Sequence, residues 1–276
     1  MKKILLAIDG ANYSKGAIEF AKNLNEKNRI SLTGIFIPKK DYARLWNYAG
    51  EGIGSTYFVP LIEDVDAAEI KDAIAKFEKE CQNNDIEYKV HKDYDNSSIA
   101  TLIKESRFAD LLLLGSETFY KEYGVSKVST YLVETLKEIE CPAIVVPENF
   151  TFPKCNIIAY DGTETSMYAM KQFAYLFPEL SNNRTYIVYS KEDNKKDIPD
   201  QILVEEFAVK HFKDITIFKN NAEPSSYFNS MFLEKKSALL ISGAYGKSGL
   251  GSLFHKSFVS EIIQEHAVPV FIANRN

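Results

Sequence analysis

The sequence predicts an α/β fold of two similar doubly wound domains, each with a five-stranded, mainly parallel sheet flanked by helices. Three observations lead there. The chain repeats itself, its short apolar runs are continuous rather than alternating, and segments of helical periodicity separate those runs. A strand covered by helices on both faces shows continuous hydrophobicity. Strands and helices alternating along a chain make parallel sheets with right-handed crossovers.

The repeat is read directly. Ile4-Leu5-Leu6-Ala7-Ile8-Asp9-Gly10 returns as Asn156-Ile157-Ile158-Ala159-Tyr160-Asp161-Gly162, and Ala109-Asp110-Leu111-Leu112-Leu113-Leu114-Gly115 returns as Ser237-Ala238-Leu239-Leu240-Ile241-Ser242-Gly243. Glu140-Cys141-Pro142-Ala143-Ile144-Val145 returns as Ala267-Val268-Pro269-Val270-Phe271-Ile272. The offsets are 161−9 = 152, 243−115 = 128 and 269−142 = 127, so the first half holds 152−128 = 24 extra residues before its Gly115 segment. They are placed at about 38–65, a stretch with Trp46, several tyrosines and Gly50, Gly52 and Gly54. Too many aromatics stand there for a simple solvated loop; the stretch either folds over its own domain or joins an interface, whereas its glycines favour a disordered excursion. Two prolines, Pro147 and Pro153, frame the boundary, giving domains of 1–148 and 152–276.

Each element follows from its pattern. First-half strands are expected at Ile4–Ile8, Ser31–Ile37, Tyr88–His91, Leu111–Leu114 and Ala143–Val146, with helices at Ser14–Asn25, Ala67–Asn83, Ser97–Ser106 and Thr130–Ile139. Second-half strands are expected at Ile157–Tyr160, Thr185–Tyr189, Ile215–Phe218, Leu239–Ser242 and Val270–Ala273. Ligands of such sheets sit beyond the carboxyl ends of the strands, where strand order switches. Asp9, Gly115, Asp161 and Gly243 stand at such ends.

Composition excludes several functions. Lys and Arg total 33 against 38 Asp and Glu, a net charge of −5, whereas nucleic-acid binding normally brings a basic excess. No apolar run approaches the ~18 residues of a membrane span, and the run after Met1-Lys2-Lys3 stops at Asp9, short of a signal peptide's core. A soluble, cytoplasmic protein is expected. Cys81, Cys141 and Cys155 form no C-x-x-C pair, so neither a disulfide framework nor a cysteine zinc site is expected. His91, His211, His255 and His266 lack metal-ligand spacing and read as surface or half-buried residues.

The richest chemical segment runs from Gly243 through Gly246-Lys247-Ser248 and Gly251 to Lys256-Ser257. Glycines admit close backbone approach and a helix start offers free N–H groups to phosphate, although a flexible surface loop has the same composition. It is neither a Walker A loop, because Ile241 stands at the first glycine, nor a G-x-G-x-x-G turn. A strand-ending aspartate, a late G-x-x-G, nine residues, then G-[S/T] before a Pro-led last strand resembles the universal stress protein family. The resemblance spans nearly the whole chain twice, as in a tandem two-domain member.

That resemblance implies domains packed as a pseudo-dimer through their last strands, and a site where the aspartate and the second strand's end hold adenosine while the glycine loop and G-[S/T] hold phosphates. Matched residue by residue, the second half supplies Asp161, Gly243, Gly246 and Ser257, with Lys256 in place of a glycine. The first half keeps Asp9, Gly115 and Ser129 but has Thr118 and Val128 at glycine positions, where a Cβ keeps phosphate off the backbone N–H groups. The first-half site is therefore expected to be degraded. Lys256 either obstructs approach or neutralises a phosphate. Ser129 and Ser257 also read as helix N-caps, and Asp9 and Asp161 as Asx turns, with no ligand involved.

Three functions follow. The leading one is an adenine-nucleotide binder of universal stress type, taking ATP with Mg in its second half, not an enzyme, its hydrolysis slow or incidental. The second is a scaffold that has lost nucleotide and acts through protein contacts. The third, an ATP pyrophosphatase, is disfavoured because Asp9-Gly10-Ala11-Asn12 and Asp161-Gly162-Thr163-Glu164 replace its Ser-Gly-Gly loop. Expected partners are adenine nucleotide, no nucleic acid and no membrane, with the chain a monomeric pseudo-dimer or a homodimer.

Overall fold

The structure is a computed structural model and describes residues 1–9, 13–37, 61–92, 98–117, 135–190, 197–220, 224–243 and 258–273. The first half runs β1 (Lys2–Asp9), α1 (Lys15–Lys27), β2 (Ile30–Ile37), α2 (Leu61–Asn83), β3 (Glu87–Lys92), α3 (Ser98–Ser106), β4 (Leu111–Gly115) and β5 (Ala143–Val146). Residues 135–138 between the last two are helical. The second half runs β6 (Cys155–Ala159), α4 (Glu164–Leu176), β7 (Arg184–Ser190), α5 (Gln201–His211), β8 (Asp214–Asn220), α6 (Pro224–Glu234), β9 (Ala238–Gly243), α7 (Phe258–Gln264) and β10 (Val270–Ala273).

The strands form one sheet in the order β3-β2-β1-β4-β5-β10-β9-β6-β7-β8. The first half contributes 3-2-1-4-5 and the second repeats that order in mirror sequence as 8-7-6-9-10. Every pairing within a half is parallel, and the halves meet in an antiparallel pairing of β5 with β10, with Val270 opposite Val145, Phe271 opposite Ile144 and Ile272 opposite Ala143. The two last strands expected to pair do pair. All four residues of each are buried, so the contact covers two apolar edges that would otherwise invite aggregation.

The ten expected strand runs all lie within or overlap the ten observed strands, which extend them by up to two residues at an end. Continuous burial explains why they were visible: β4 and β5 are buried at every position. One core cluster packs α1, α2 and α4 on one face of the sheet, with Phe20, Phe77 and Phe173 fully buried. A second packs Leu102 of α3, Phe228 of α6 and Ile262 of α7 on the other. Of the insertion, residues 38–60 lie outside the described residues, while 61–65 open α2, which starts six residues before the expected Ala67. Lys2 pairs with Glu179 across the halves at 3.0 Å.

The three thiols are structural. Cys81 and Cys141 are buried, and burial, reinforced by nearby Glu80 and Asp110 respectively, pushes each thiol up to about 12. Burial also raises the half-buried Cys155. At pH 8 all three stay protonated, and the thiolate is the reactive form. We expect a disulfide reagent to label fewer than one thiol per chain within minutes at pH 8, and all three after denaturation. Rapid stoichiometric labelling of folded protein would contradict the buried placements.

Candidate functional site

In the second half strand order switches between β6 and β9, and their register sets Ala159 opposite Ser242. Gly243 therefore comes level with Tyr160, with Asp161 one residue beyond. Asp161 does not end the strand as expected: β6 stops at Ala159, although the Tyr160 N–H still donates to the Val188 carbonyl at 3.0 Å. Asp161 is exposed, and its Oδ1 accepts from the Thr163 N–H at 2.9 Å and the Thr163 hydroxyl at 2.6 Å. This is an Asx turn, which leads into α4 with Thr163 as N-cap accepting from the Ser166 N–H at 3.3 Å. A carboxylate just before a helix is also favoured by the helix dipole.

Two glycines bound this turn for different reasons. Gly162 has φ +81°, a backbone that L residues rarely adopt, and lies against the Pro199 ring. The Tyr160 hydroxyl donates to the Pro199 carbonyl at 3.0 Å, so Pro199 is held against this turn. Burial, with Asp200 and Asp161 nearby, raises the Tyr160 phenol. Gly243 is needed for space: a Cβ there would lie 2.5 Å from the Thr165 carbonyl carbon and 2.7 Å from the Ser166 nitrogen. Gly246, Lys256 and Ser257 lie outside the described residues.

In the first half the switch falls between β1 and β4. The backbones of Asp9 and Gly115 reach the same carboxyl end of the sheet; the Asp9 side chain, Thr118, Val128 and Ser129 lie outside the described residues. The residues that do stand there were not anticipated. Glu148 Oε2 accepts from the N–H groups of Lys15 and Gly16 at 3.0 and 3.2 Å, at the start of α1, whose N-cap Ser14 takes the Ala17 N–H. The Glu148 N–H in turn donates to both oxygens of Glu117 at 2.9 Å. The Ser116 hydroxyl donates to Glu117 Oε2 at 2.8 Å and lies 2.7 Å from Nδ1 of His266, a second-half residue. Two carboxylates thus occupy the first-half crevice. No sequence signal could reveal the Ser116–His266 contact, whose partners are 150 residues apart.

His91, His211 and His266 are half-buried, and no group of three or more metal-ligating side chains clusters among the described residues. No helix among them is long and apolar enough to cross a membrane. A cleft of about 680 Å³ is lined by residues including Thr151, Asn229, Phe232 and Lys236. It sits by the amino ends of β6 and β9, at the opposite end of those strands from the second-half switch point.

No family model and no curated protein matches the sequence. Among solved structures, a universal stress protein from Archaeoglobus fulgidus is similar over 100% of this chain and 97% of its own, at 13% identity and a TM-score of 0.76. Another assigned to the universal stress family, from Pseudomonas aeruginosa, is similar over 99% of this chain and 93% of its own, at 10% identity and a TM-score of 0.56. The chain therefore has the fold of the universal stress proteins along its full length.

Proposed function

We propose that this chain is a tandem protein of universal stress type, with units at 1–148 and 152–276, that binds an adenine nucleotide in its second half and serves a stress response in the cytoplasm. The observation that carries this reading is the contrast between the two crevices. At the second-half switch point the exposed Asp161 stands one residue beyond the level of Gly243, and its carboxylate is bonded within its own turn. At the first-half switch point Glu117 and Glu148 place two negative charges where a phosphate would have to approach.

In this reading Asp161 accepts from sugar hydroxyls through the oxygen its turn leaves over. Gly243 and Gly246 let phosphate approach the backbone, Lys256 supplies charge in place of geometry, and Ser257 opens the last helix. ATP with Mg is the proposed ligand, and binding rather than catalysis the proposed role, any hydrolysis being slow. Titration calorimetry tests it. Wild type should bind one ATP, Gly246→Val should lose binding because a branched side chain fills the phosphate channel, and Thr118→Gly should not create a strong second site. Stronger binding in the first half than in the second would sink the assignment.

One observation favours a second reading, a scaffold acting through protein contacts. Both described site residues already have structural work, Asp161 in its turn and Gly243 under α4. Absence of binding by calorimetry, and of any nucleotide released by heating the purified protein, would decide for the scaffold.

A further inference from the structure

β8 ends the sheet on the second-half side as β3 ends it on the first, and among the described residues neither strand has a neighbour on its outer side. The repeat matches the two edges position by position. Ile4 corresponds to Asn156, and Ile4 leads through Leu32 to Tyr88 as Asn156 leads through Thr185 to Ile215. Glu87, Lys89 and His91, on one face of β3, therefore correspond to Asp214, Thr216 and Phe218 on β8.

β3 is a guarded edge. Glu87 and Lys89 are exposed, Glu87 accepts from the Ser31 hydroxyl at 3.1 Å, and His91 Nδ1 lies 2.6 Å from Glu105. A lysine in the middle of an edge strand opposes pairing with another strand, because the ammonium would lose water. β8 has no such guard. Thr216 takes the place of Lys89, and Phe218, 36% exposed, takes that of His91. The Phe218 ring stacks on Tyr186 with centroids 5.8 Å apart, which holds it at the surface. On the other face Ile215 and Ile217 touch the core and stay half-buried. Among the described residues, every large apolar side chain left exposed in the second half stands in β8, in α5 or, as Tyr175, against α5. A seven-residue edge uncharged from Ile215 to Phe218 is a liability unless it is paired. The chain covers its β5 and β10 edges by antiparallel pairing.

β8 is complementary to itself. Residues opposed across an antiparallel pair lie on the same sheet face, so a dyad between two β8 strands passes through a residue. A dyad at Ile217 pairs the whole strand, setting Asp214 against Asn220, Ile215 against Lys219 and Thr216 against Phe218, with no like charges opposed. A dyad at Thr216 opposes Lys213 to Lys219, and one at Phe218 leaves Asp214 and Ile215 beyond the partner strand. Such a contact uses the same patch on both copies and closes at two.

We propose that β8 is a homodimer interface, in which two copies join antiparallel about a dyad at Ile217 and continue their ten-stranded sheets into one. The interface stands apart from the nucleotide reading above and needs no ligand.

Sedimentation equilibrium and cysteine crosslinking of the full chain test it. Wild type should sediment at twice the chain mass at micromolar concentration and dissociate on dilution. Thr216→Lys gives β8 the residue that β3 carries at this position, and should raise the dimer Kd about tenfold or more with an unchanged circular dichroism spectrum. Ile217→Cys should form an intermolecular disulfide under mild oxidation, because Cα atoms of opposed residues stand about 4.5–5.5 Å apart, within disulfide reach. Lys219→Cys should not, since its two copies stand four strand positions, about 13 Å, apart. Wild type that stays monomeric overturns the proposal, as does Thr216→Lys with the wild-type dimer Kd. Crosslinking of Lys219→Cys as fast as Ile217→Cys overturns the register. Growth beyond two copies would mean that β8 meets another surface, such as β3, and overturns the dyad.

Discussion

Phe271→Ala should lower the stability of the folded chain by about 3–5 kcal/mol, the usual cost of emptying a buried phenylalanine site. Phe271 is fully buried in the middle of β10, opposite Ile144 of β5. Its ring meets Phe173 at 5.4 Å and Phe177 at 6.2 Å, both nearly edge-on, so the substitution removes aromatic contacts as well as buried area. The site cannot collapse easily, because β10 is fixed between β5 and β9. The residue also sits where the halves join through only three register pairs, so the loss falls on the seam. Urea unfolding of wild type, Phe271→Ala and the exposed control Ile202→Ala, which should change stability by less than about 0.5 kcal/mol, measures the effect. A loss below about 1 kcal/mol for Phe271→Ala would mean that the seam is not packed as described.

The strands were legible because burial on both faces writes itself into the sequence as unbroken apolar runs such as Leu111–Leu114 and Ala143–Val146, and because the repeat states each strand twice. The pairing of β5 with β10 was expected from resemblance and from the need to cover two apolar edges, while its antiparallel sense comes from the structure. The start of α2 was missed because Leu61–Asp66 mixes acidic and apolar residues without a clear stripe, and Pro60 before it, a helix-starting signal, was read with the insertion. At the site the sequence exposed residue types but not their partners. Asp161 was read with its Asx turn as one of two options, and the structure shows that turn. Glu117, Glu148 and His266 carry no local pattern: each is an ordinary surface-type residue in sequence, and only the closure of the sheet brings them to one crevice. Gly16 hides similarly, its missing side chain making room for the backbone of Pro147 and Glu148.

Gly243→Ala should by itself lower the stability of the nucleotide-free protein by about 2–3 kcal/mol, within the range that forced overpacking costs. The reading of Gly243 as a ligand-loop glycine predicts no such effect, since a methyl group facing an empty crevice meets only water. The geometry says otherwise: the added carbon would lie 2.5 and 2.6 Å from the carbonyl carbon and oxygen of Thr165 and 2.7 Å from the Ser166 nitrogen. These are backbone atoms in the first turn of α4, so no rotamer change relieves the contact. The helix start must move off the sheet, and with it the Thr163 cap and the Asp161 bonds. Gly243→Val should cost more, because its branches add further overlap. Thermal and urea unfolding without nucleotide, followed by ATP titration at a temperature where both variants stay folded, separates packing from recognition. Full stability in nucleotide-free Gly243→Ala would mean that β9 and α4 are not in the close contact described. Lost stability with retained affinity would leave Gly243 as the residue that seats α4, and would move phosphate recognition to the residues that follow it.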